Sequence, residues 1–115
     1  MPAQLKGRWS KRQDLERHIE QRFLHALKER WPTADQRKMN GYGNRSWPDR
    51  MILLPKVPAF FIEFKRPGEG PSPGQEQKIK ELRALGKRVY ICDDSEQAMV
   101  FCEAEVARAN GYKKV

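Results

Sequence analysis

The segment FFIEFK, which ends at Lys65, constrains the fold and the chemistry of this chain more than any other part of it. Aromatic and β-branched residues favour a strand, and successive side chains of a strand point to opposite faces of the sheet. Phe60, Ile62 and Phe64 are therefore expected to enter a core. Glu63 and Lys65 then emerge together on the other face, which predicts a carboxylate and an ammonium group held close together by one strand.

A second carboxylate falls near this strand in the predicted hairpin. Asp49–Leu54 and Ala59–Lys65 are interpreted as two strands joined by a short turn, which brings Asp49 to the end of the sheet that carries Glu63 and Lys65. A Glu and a Lys at alternate strand positions often form an ordinary surface ion pair. Two carboxylates and a lysine are instead what phosphodiester hydrolysis requires: hard oxygen ligands for Mg²⁺ or Mn²⁺ and a cation that orients the nucleophile.

The first predicted helix offers a further acidic group. Ser10 and Gln13 have the spacing of a capping box, which predicts that the helix begins there and ends at Trp31. Its apolar stripe is centred close to Glu16, while Glu20 lies nearer the edge. A carboxylate in a buried stripe needs a compensating partner such as a metal ion. The helix dipole explains an acid in the first turn equally well, so both interpretations of Glu16 stay open at this point.

A second helix is predicted after the glycine-rich segment that follows Lys65. Ser72, Pro73 and Gln75 supply its N-cap, its first-turn proline and the glutamine of a capping box. Gly86 is placed to end the helix. Gln75 also points inward on the apolar face. It is therefore either a capping residue alone or a member of the site beside Lys65.

The remaining elements predict an α/β layer structure. Arg88–Cys92 is interpreted as a third strand, and a last helix follows a cap at Asp94 or Ser95. Residues 32–48 are rich in turn formers and are interpreted as a loop. The predicted order is helix, two strands, helix, strand, helix, which gives a small mixed β-sheet flanked by helices. The length of 115 residues suits a single domain spanning positions 1–115.

Charge indicates the class of partner. The chain has 23 Lys and Arg against 15 Asp and Glu, a net charge of +8, which favours a nucleic acid but also fits a basic solvated surface. No apolar stretch approaches the roughly 20 residues of a membrane span, and the N-terminus lacks the apolar core of a signal peptide. The two cysteines form neither a disulfide framework nor a zinc motif. The sequence therefore predicts a soluble, intracellular protein with no membrane partner.

The order and spacing of these features resemble a known family. Four motifs resemble those of the VRR-NUC family of the PD-(D/E)xK nuclease superfamily: Glu16, Pro48-Asp49, Ile62-Glu63-Phe64-Lys65 and Ser72-Pro73-x-Gln75. A glycine-containing turn from Gly41 to Gly43 and a Gly-x-x-Val from Gly86 to Val89 match further positions of the family. The resemblance implies a restriction-endonuclease-like core and divalent-metal-dependent cleavage of DNA.

The resemblance also implies a role for each residue of the predicted hairpin. Asp49 and Glu63 would be the principal ligands of Mg²⁺ or Mn²⁺. The backbone carbonyl of Phe64 would be a further metal ligand. Lys65 would position or activate the attacking water.

The two helices would complete the implied site. Glu16 would support the metal from the first helix, although Glu20, one turn away, is an alternative alignment. Gln75 would hydrogen-bond near the lysine from the second helix. These assignments make Glu16 and Gln75 catalytic candidates together with the residues of the hairpin.

Substrate and assembly are likewise implied by the resemblance. Stand-alone members of the family are similar to Holliday-junction resolvases, so we expect a structure-selective endonuclease that acts on branched DNA as a homodimer. The expected location is the cytoplasm of a bacterial or phage-infected cell. Residues expected to contact phosphates and unpaired bases are Arg37, Lys38, Tyr42, Arg45, Trp47 and Arg66.

Two rival functions stay open. The basic loop is also explained as a solvated connection. The chain is then either a non-catalytic nucleic-acid-binding module, whose acids only form salt bridges, or a PD-(D/E)xK nuclease without branched-DNA preference that cuts linear duplex or RNA. The first rival predicts binding that metal leaves unchanged, and a panel of substrates distinguishes the second.

Overall fold

The computed structural model describes residues 2–41 and 43–111, with side chains described from residue 15 onward. In chain order its elements are α1 (Pro2–Arg30), β1 (Asp35–Lys38), β2 (Arg50–Leu53), β3 (Phe60–Phe64), α2 (Pro73–Ala84), β4 (Val89–Cys92) and α3 (Ser95–Gly111). The three predicted helices and the three predicted strands are confirmed. No helix in these ranges is long and apolar enough to cross a membrane.

The first helix starts earlier than the capping pattern indicates. α1 begins at Pro2, so the predicted start at Ser10 is wrong. The intervening residues are mostly good helix formers, and proline suits the first position of a helix. A serine inside a helix costs only about 0.5 kcal/mol relative to alanine. A capping pattern therefore marks where a helix can start but does not force a start there.

The strand β1 lies within residues 32–48, where the sequence predicts only a loop. Its sequence, DQRK, has no apolar alternation, and its residues are half-buried or exposed. It forms as an antiparallel partner of β2, with Asp35 opposite Leu53 and Lys38 opposite Arg50. Backbone pairing rather than side-chain packing therefore holds β1, and its charges suit an exposed sheet edge.

The sheet has the strand order β1-β2-β3-β4. The pairs β1–β2 and β2–β3 are antiparallel, and β4 runs parallel to β3. The β2–β3 pair is the predicted hairpin, and α2 provides the crossover that parallel neighbours need. The mixed four-stranded sheet flanked by helices confirms the predicted α/β class.

Burial of β3 on both faces positions the site. Phe60, Ile62 and Phe64 pack in the core formed with α1 and α3, as predicted. Phe61 packs on the opposite face, in a second core with α2. Glu63 shares that second face and is only 1% exposed, although the alternation predicted that it would emerge at the surface. The difference arises because helices cover both faces of this strand, which then becomes a nearly continuous buried run.

Candidate active site

Asp49 and Glu63 meet where β2 begins and β3 ends. The register pairs Arg50 with Ile62, so the residue before β2 is carried opposite Glu63. The backbone N–H of Asp49 donates to Oε1 of Glu63 at 3.2 Å, and the N–H of Phe64 donates to Oδ2 of Asp49 at 2.7 Å. The register of the hairpin therefore fixes the positions of both carboxylates.

Lys65 and Gln75 converge on one oxygen of Glu63. Lys65 Nζ lies 3.0 Å from Glu63 Oε2. Gln75 Nε2 donates to the same oxygen at 2.9 Å. The side chains of Lys65 and Glu63 are 14% and 2% exposed, so they do not form an ordinary surface ion pair. A buried acid beside a lysine at the end of a sheet has the electrostatic character of a functional site.

Gln75 caps its helix and contacts the acid pair at the same time. Its backbone N–H donates to Ser72 Oγ at 3.3 Å, and its Oε1 accepts from the N–H of Ser72 at 2.9 Å. These two bonds complete the predicted capping box. Its Nε2 reaches Glu63. The amide oxygen of Gln75 completes the helix cap and its nitrogen contacts Glu63, so Gln75 is both a capping residue and a neighbour of the acid pair. Its part in catalysis stays a prediction.

The substitution Gln75→Glu separates these two contacts. Glutamate keeps the capping box, since either residue serves at this position, but it removes the N–H donor to Glu63 and brings a second carboxylate to it. At pH 8 we expect the free energy of unfolding to fall by about 1–3 kcal/mol, because a buried acceptor loses its partner. Urea denaturation measures the change, with Gln77→Glu on the exposed side of α2 as control. Equal stability of the two variants would contradict this role.

Burial and mutual repulsion dominate the electrostatics of the acid pair. Burial raises the pKa of Glu63 to about 7, the charge of Asp49 acts in the same direction, and Lys65 opposes both. Burial also raises the pKa of Asp49, while the N–H of Phe64 lowers it and the charge of Glu20 raises it further. Lys65 therefore offsets only part of the effect of burial and mutual repulsion on the pKa values of the two acids.

The oxygen atoms of this pair suit a divalent cation. Carboxylates are hard ligands of the kind that Mg²⁺ and Mn²⁺ prefer. Both oxygens of Asp49 and Oε1 of Glu63 accept one hydrogen bond each in the contacts described above and keep a second lone pair, whereas Oε2 of Glu63 already contacts both Lys65 and Gln75. Within the described side chains, no three His, Cys, Asp or Glu residues come together as a complete metal cage. Asp49 and Glu63 would therefore hold such an ion together with backbone and water oxygens, as is common for Mg²⁺.

Glu20, rather than Glu16, is the helix acid near this pair. The charge of Glu20 acts on Asp49, and Oε2 of Glu20 lies 2.6 Å from Nε of Arg50. Glu16 lies one turn closer to the N-terminus, beside Leu15, which is 49% exposed. The effect of Glu20 on Asp49 therefore favours the alternative alignment.

The cationic DNA-binding candidates lie on the sheet edge and in the following loop. Arg37 and Lys38 are exposed, but they belong to β1 and not to the predicted loop. Arg45 is exposed in the loop and lines a cleft of about 420 Å³ together with Lys78. Tyr42 lies outside the described residues. A basic surface therefore leads from the edge strand towards α2.

Two further candidates are engaged within the protein. Trp47 is half-buried, its ring packs edge-on against Phe61 with centroids 6.1 Å apart, and Lys78 Nζ lies 5.2 Å from its ring centroid. Arg66 forms an ion pair with Glu69. Trp47 packs against the second core and also lines the cleft that contains Arg45 and Lys78, so its contact with unpaired bases stays a prediction.

Asn40 contacts the acid pair although no sequence motif indicates it. Its side-chain amide donates to Oδ1 of Asp49. The Asn40-Gly41 dipeptide is typical of a turn, and nothing in DQRK predicts the strand that carries Asn40 to this position. The position of Asn40 could be predicted only if the pairing of β1 with β2 were already known.

The fold is restriction-endonuclease-like and similar to that of a VRR_NUC domain. A solved structure described as a VRR_NUC domain is similar to this chain with a TM-score of 0.60 and 26% sequence identity. The similarity covers 74% of this chain and 95% of that domain. It confirms both the resemblance and the restriction-endonuclease-like fold predicted from the sequence.

A phage protein is similar in sequence to part of the chain. The protein named "Putative nuclease p44", from Acyrthosiphon pisum secondary endosymbiont phage 1, is 38% identical over 58 residues. The match spans 50% of this chain and 62% of the length of the phage protein. No protein-family model matches the chain.

Proposed function

We propose that the protein is a divalent-metal-dependent DNA endonuclease that hydrolyses phosphodiester bonds at the end of β3. The observation that carries this proposal is the contact of the half-buried Asp49 with the buried Glu63, together with Lys65 Nζ 3.0 Å from a Glu63 oxygen. The likeness to the VRR_NUC domain and to the phage protein named as a nuclease supports it.

Each hairpin residue has a distinct part in the proposed reaction. Asp49, Glu63 and the backbone carbonyl of Phe64 would hold Mg²⁺ or Mn²⁺, which would supply Lewis acidity to the phosphoryl group and to a water molecule. Lys65 orients the attacking water and offsets the negative charge that develops on the phosphate. Gln75 holds Oε2 of Glu63 in its position beside Lys65.

The helix acid has a supporting part in this proposal. Glu20 adds negative charge beside Asp49 and takes the place first expected for Glu16. Arg50 holds one oxygen of Glu20 at 2.6 Å. From this position Glu20 would support the water shell of the metal site.

Branched DNA and a homodimer are the finer parts of the proposal. They rest on the similarity of stand-alone VRR-NUC proteins to Holliday-junction resolvases. The net charge of +8 suits a polyanion, and Arg37, Lys38 and Arg45 provide exposed cations on the edge strand and in the loop that leads to Asp49. A two-fold dimer would double this basic surface and place two sites on two strands.

A panel of labelled substrates tests the proposal. A four-way junction, a linear duplex of the same sequence, its single strands and an RNA duplex are incubated with the protein in Mn²⁺ or EDTA. We expect paired nicks near the branch point, only with metal, and a solution mass of two chains. Equal cutting of all DNA would keep the nuclease and remove the branched-DNA preference. Salt-sensitive binding without any cutting would favour the non-catalytic binding module.

A further inference from the structure

The side chain of Asn40 is placed against the acid pair by backbone pairing. Lys38 pairs with Arg50 in the β1–β2 ladder, and the N–H of Met39 donates to the carbonyl of Asp49 at 2.8 Å. The ladder thereby continues past the end of β1. It brings the half-buried Asn40 next to Asp49, where the side-chain amide donates to Oδ1.

Both oxygens of the Asp49 carboxylate are consequently oriented by N–H donors. Oδ2 accepts from the backbone N–H of Phe64 at 2.7 Å, and Oδ1 accepts from Asn40. Two donors on opposite oxygens fix the rotation of the carboxylate plane. Each oxygen keeps a lone pair that is free to bind a cation.

The donor at this position is neutral, in contrast to the partner of Glu63. Glu63 shares one oxygen with the ammonium group of Lys65, which offsets part of its charge. Asn40 orients Asp49 without adding positive charge, so the electrostatic attraction of Asp49 for a cation is preserved. The amide of Asn40 therefore suits a metal ligand such as Asp49, whose carboxylate must be fixed in orientation without losing its negative charge.

We propose that Asn40 is a positioning residue that orients Asp49 for binding a divalent cation. The inference deepens the proposed function and rests on it, since it assumes that Asp49 is a metal ligand. Removing a hydrogen-bond partner that orients a ligand commonly weakens metal affinity by about 10- to 100-fold. We expect an effect of that size at Asn40.

Metal binding without DNA provides the test. Mn²⁺ is titrated into the wild type, Asn40→Ala and Asn40→Leu by calorimetry, at a temperature where circular dichroism shows all of them folded. Leucine fills the space of asparagine without a donor, so a cavity does not explain a shared effect. Asn44→Ala, an exposed asparagine of the same loop, is the matched control. We expect both Asn40 variants to bind Mn²⁺ about 10-fold or more weakly than the wild type and the control.

The outcomes separate this inference from the proposed function. A purely structural role would lower the melting temperature and leave the Kd for Mn²⁺ of the folded protein unchanged, which would overturn the inference alone. Weaker Mn²⁺ binding by both Asn40 variants in a protein that cuts no DNA would support the inference and overturn the nuclease proposal. A wild type that binds no Mn²⁺ would overturn both.

Discussion

Lys65→Ala is expected to lower the rate of DNA cleavage by roughly 10²- to 10⁴-fold, the usual contribution of a positioned group that assists proton transfer or charge stabilisation. The ammonium group lies 3.0 Å from Glu63 Oε2 and is only 14% exposed, so water does not readily replace it. Asp49 and Glu63 remain in this variant. DNA binding measured in Ca²⁺ should therefore weaken much less than the rate of cleavage.

Lys80→Ala is the matched control for this prediction. Lys80 is an exposed lysine on α2, so its removal changes the net charge equally without touching the acid pair. Single-turnover cleavage of a labelled duplex compares the two variants. Parallel losses of cleavage and binding in Lys65→Ala would contradict a catalytic role and favour the binding-module rival.

Glu63→Gln is expected to change how stability depends on pH. The pKa of Glu63 is about 7 in the folded protein against 4.5 for an ordinary glutamate. The folded state therefore binds this proton more tightly than the unfolded state. The tighter proton binding of Glu63 in the folded state contributes fully to the free energy of unfolding below pH 4.5. This contribution is lost as the pH rises through about 7, a decline of about 3 kcal/mol. The glutamine variant lacks this decline.

Urea denaturation between pH 4.5 and 8, without metal, measures the difference between the wild type and Glu63→Gln. The free energy of unfolding of Glu63→Gln should exceed that of the wild type by an amount that grows with pH, because only the wild type must keep a buried charge at pH 8. Glu76→Gln, which removes an exposed acid from the same helix that covers Glu63, should follow the wild type. Parallel curves for wild type and Glu63→Gln would contradict the raised pKa. Mg²⁺ should stabilise the wild type more at pH 8 than at pH 6, and it should not stabilise the variant.

The parts of the site that lie on β3 and its hairpin partner could be predicted from the sequence. The alternation of FFIEFK places Phe60, Ile62 and Phe64 on one face, and a short turn leaves little freedom for the register that brings Asp49 to Glu63. Local periodicity and turn length are enough for this. The same alternation failed to predict the burial of Glu63, because coverage of the second face by α2 is a long-range property.

The parts that depend on backbone pairing or on the extent of a packed face could not be predicted. Four polar residues form β1 only because β2 accepts their backbone groups, so the position of Asn40 has no local signal. Glu16 and Glu20 are one helical turn apart, and the choice between them depends on the tertiary contact that brings Glu20 next to Arg50 and Asp49. The contact of Trp47 with Phe61 likewise has no local signal, because it depends on how the loop before β2 packs against the second core.

Cleavage of a labelled four-way junction by the wild type and Asp49→Ala, in Mg²⁺, Mn²⁺ or EDTA, tests the central claim most directly. Asp49 accepts hydrogen bonds from Phe64 and Asn40 and lies opposite Glu63, so its removal takes away a principal ligand of the proposed metal. The account predicts metal-dependent cutting by the wild type and none above background by Asp49→Ala, with both proteins folded and binding the junction in Ca²⁺. Cutting by Asp49→Ala at the wild-type rate, or cutting by the wild type in EDTA, would contradict it.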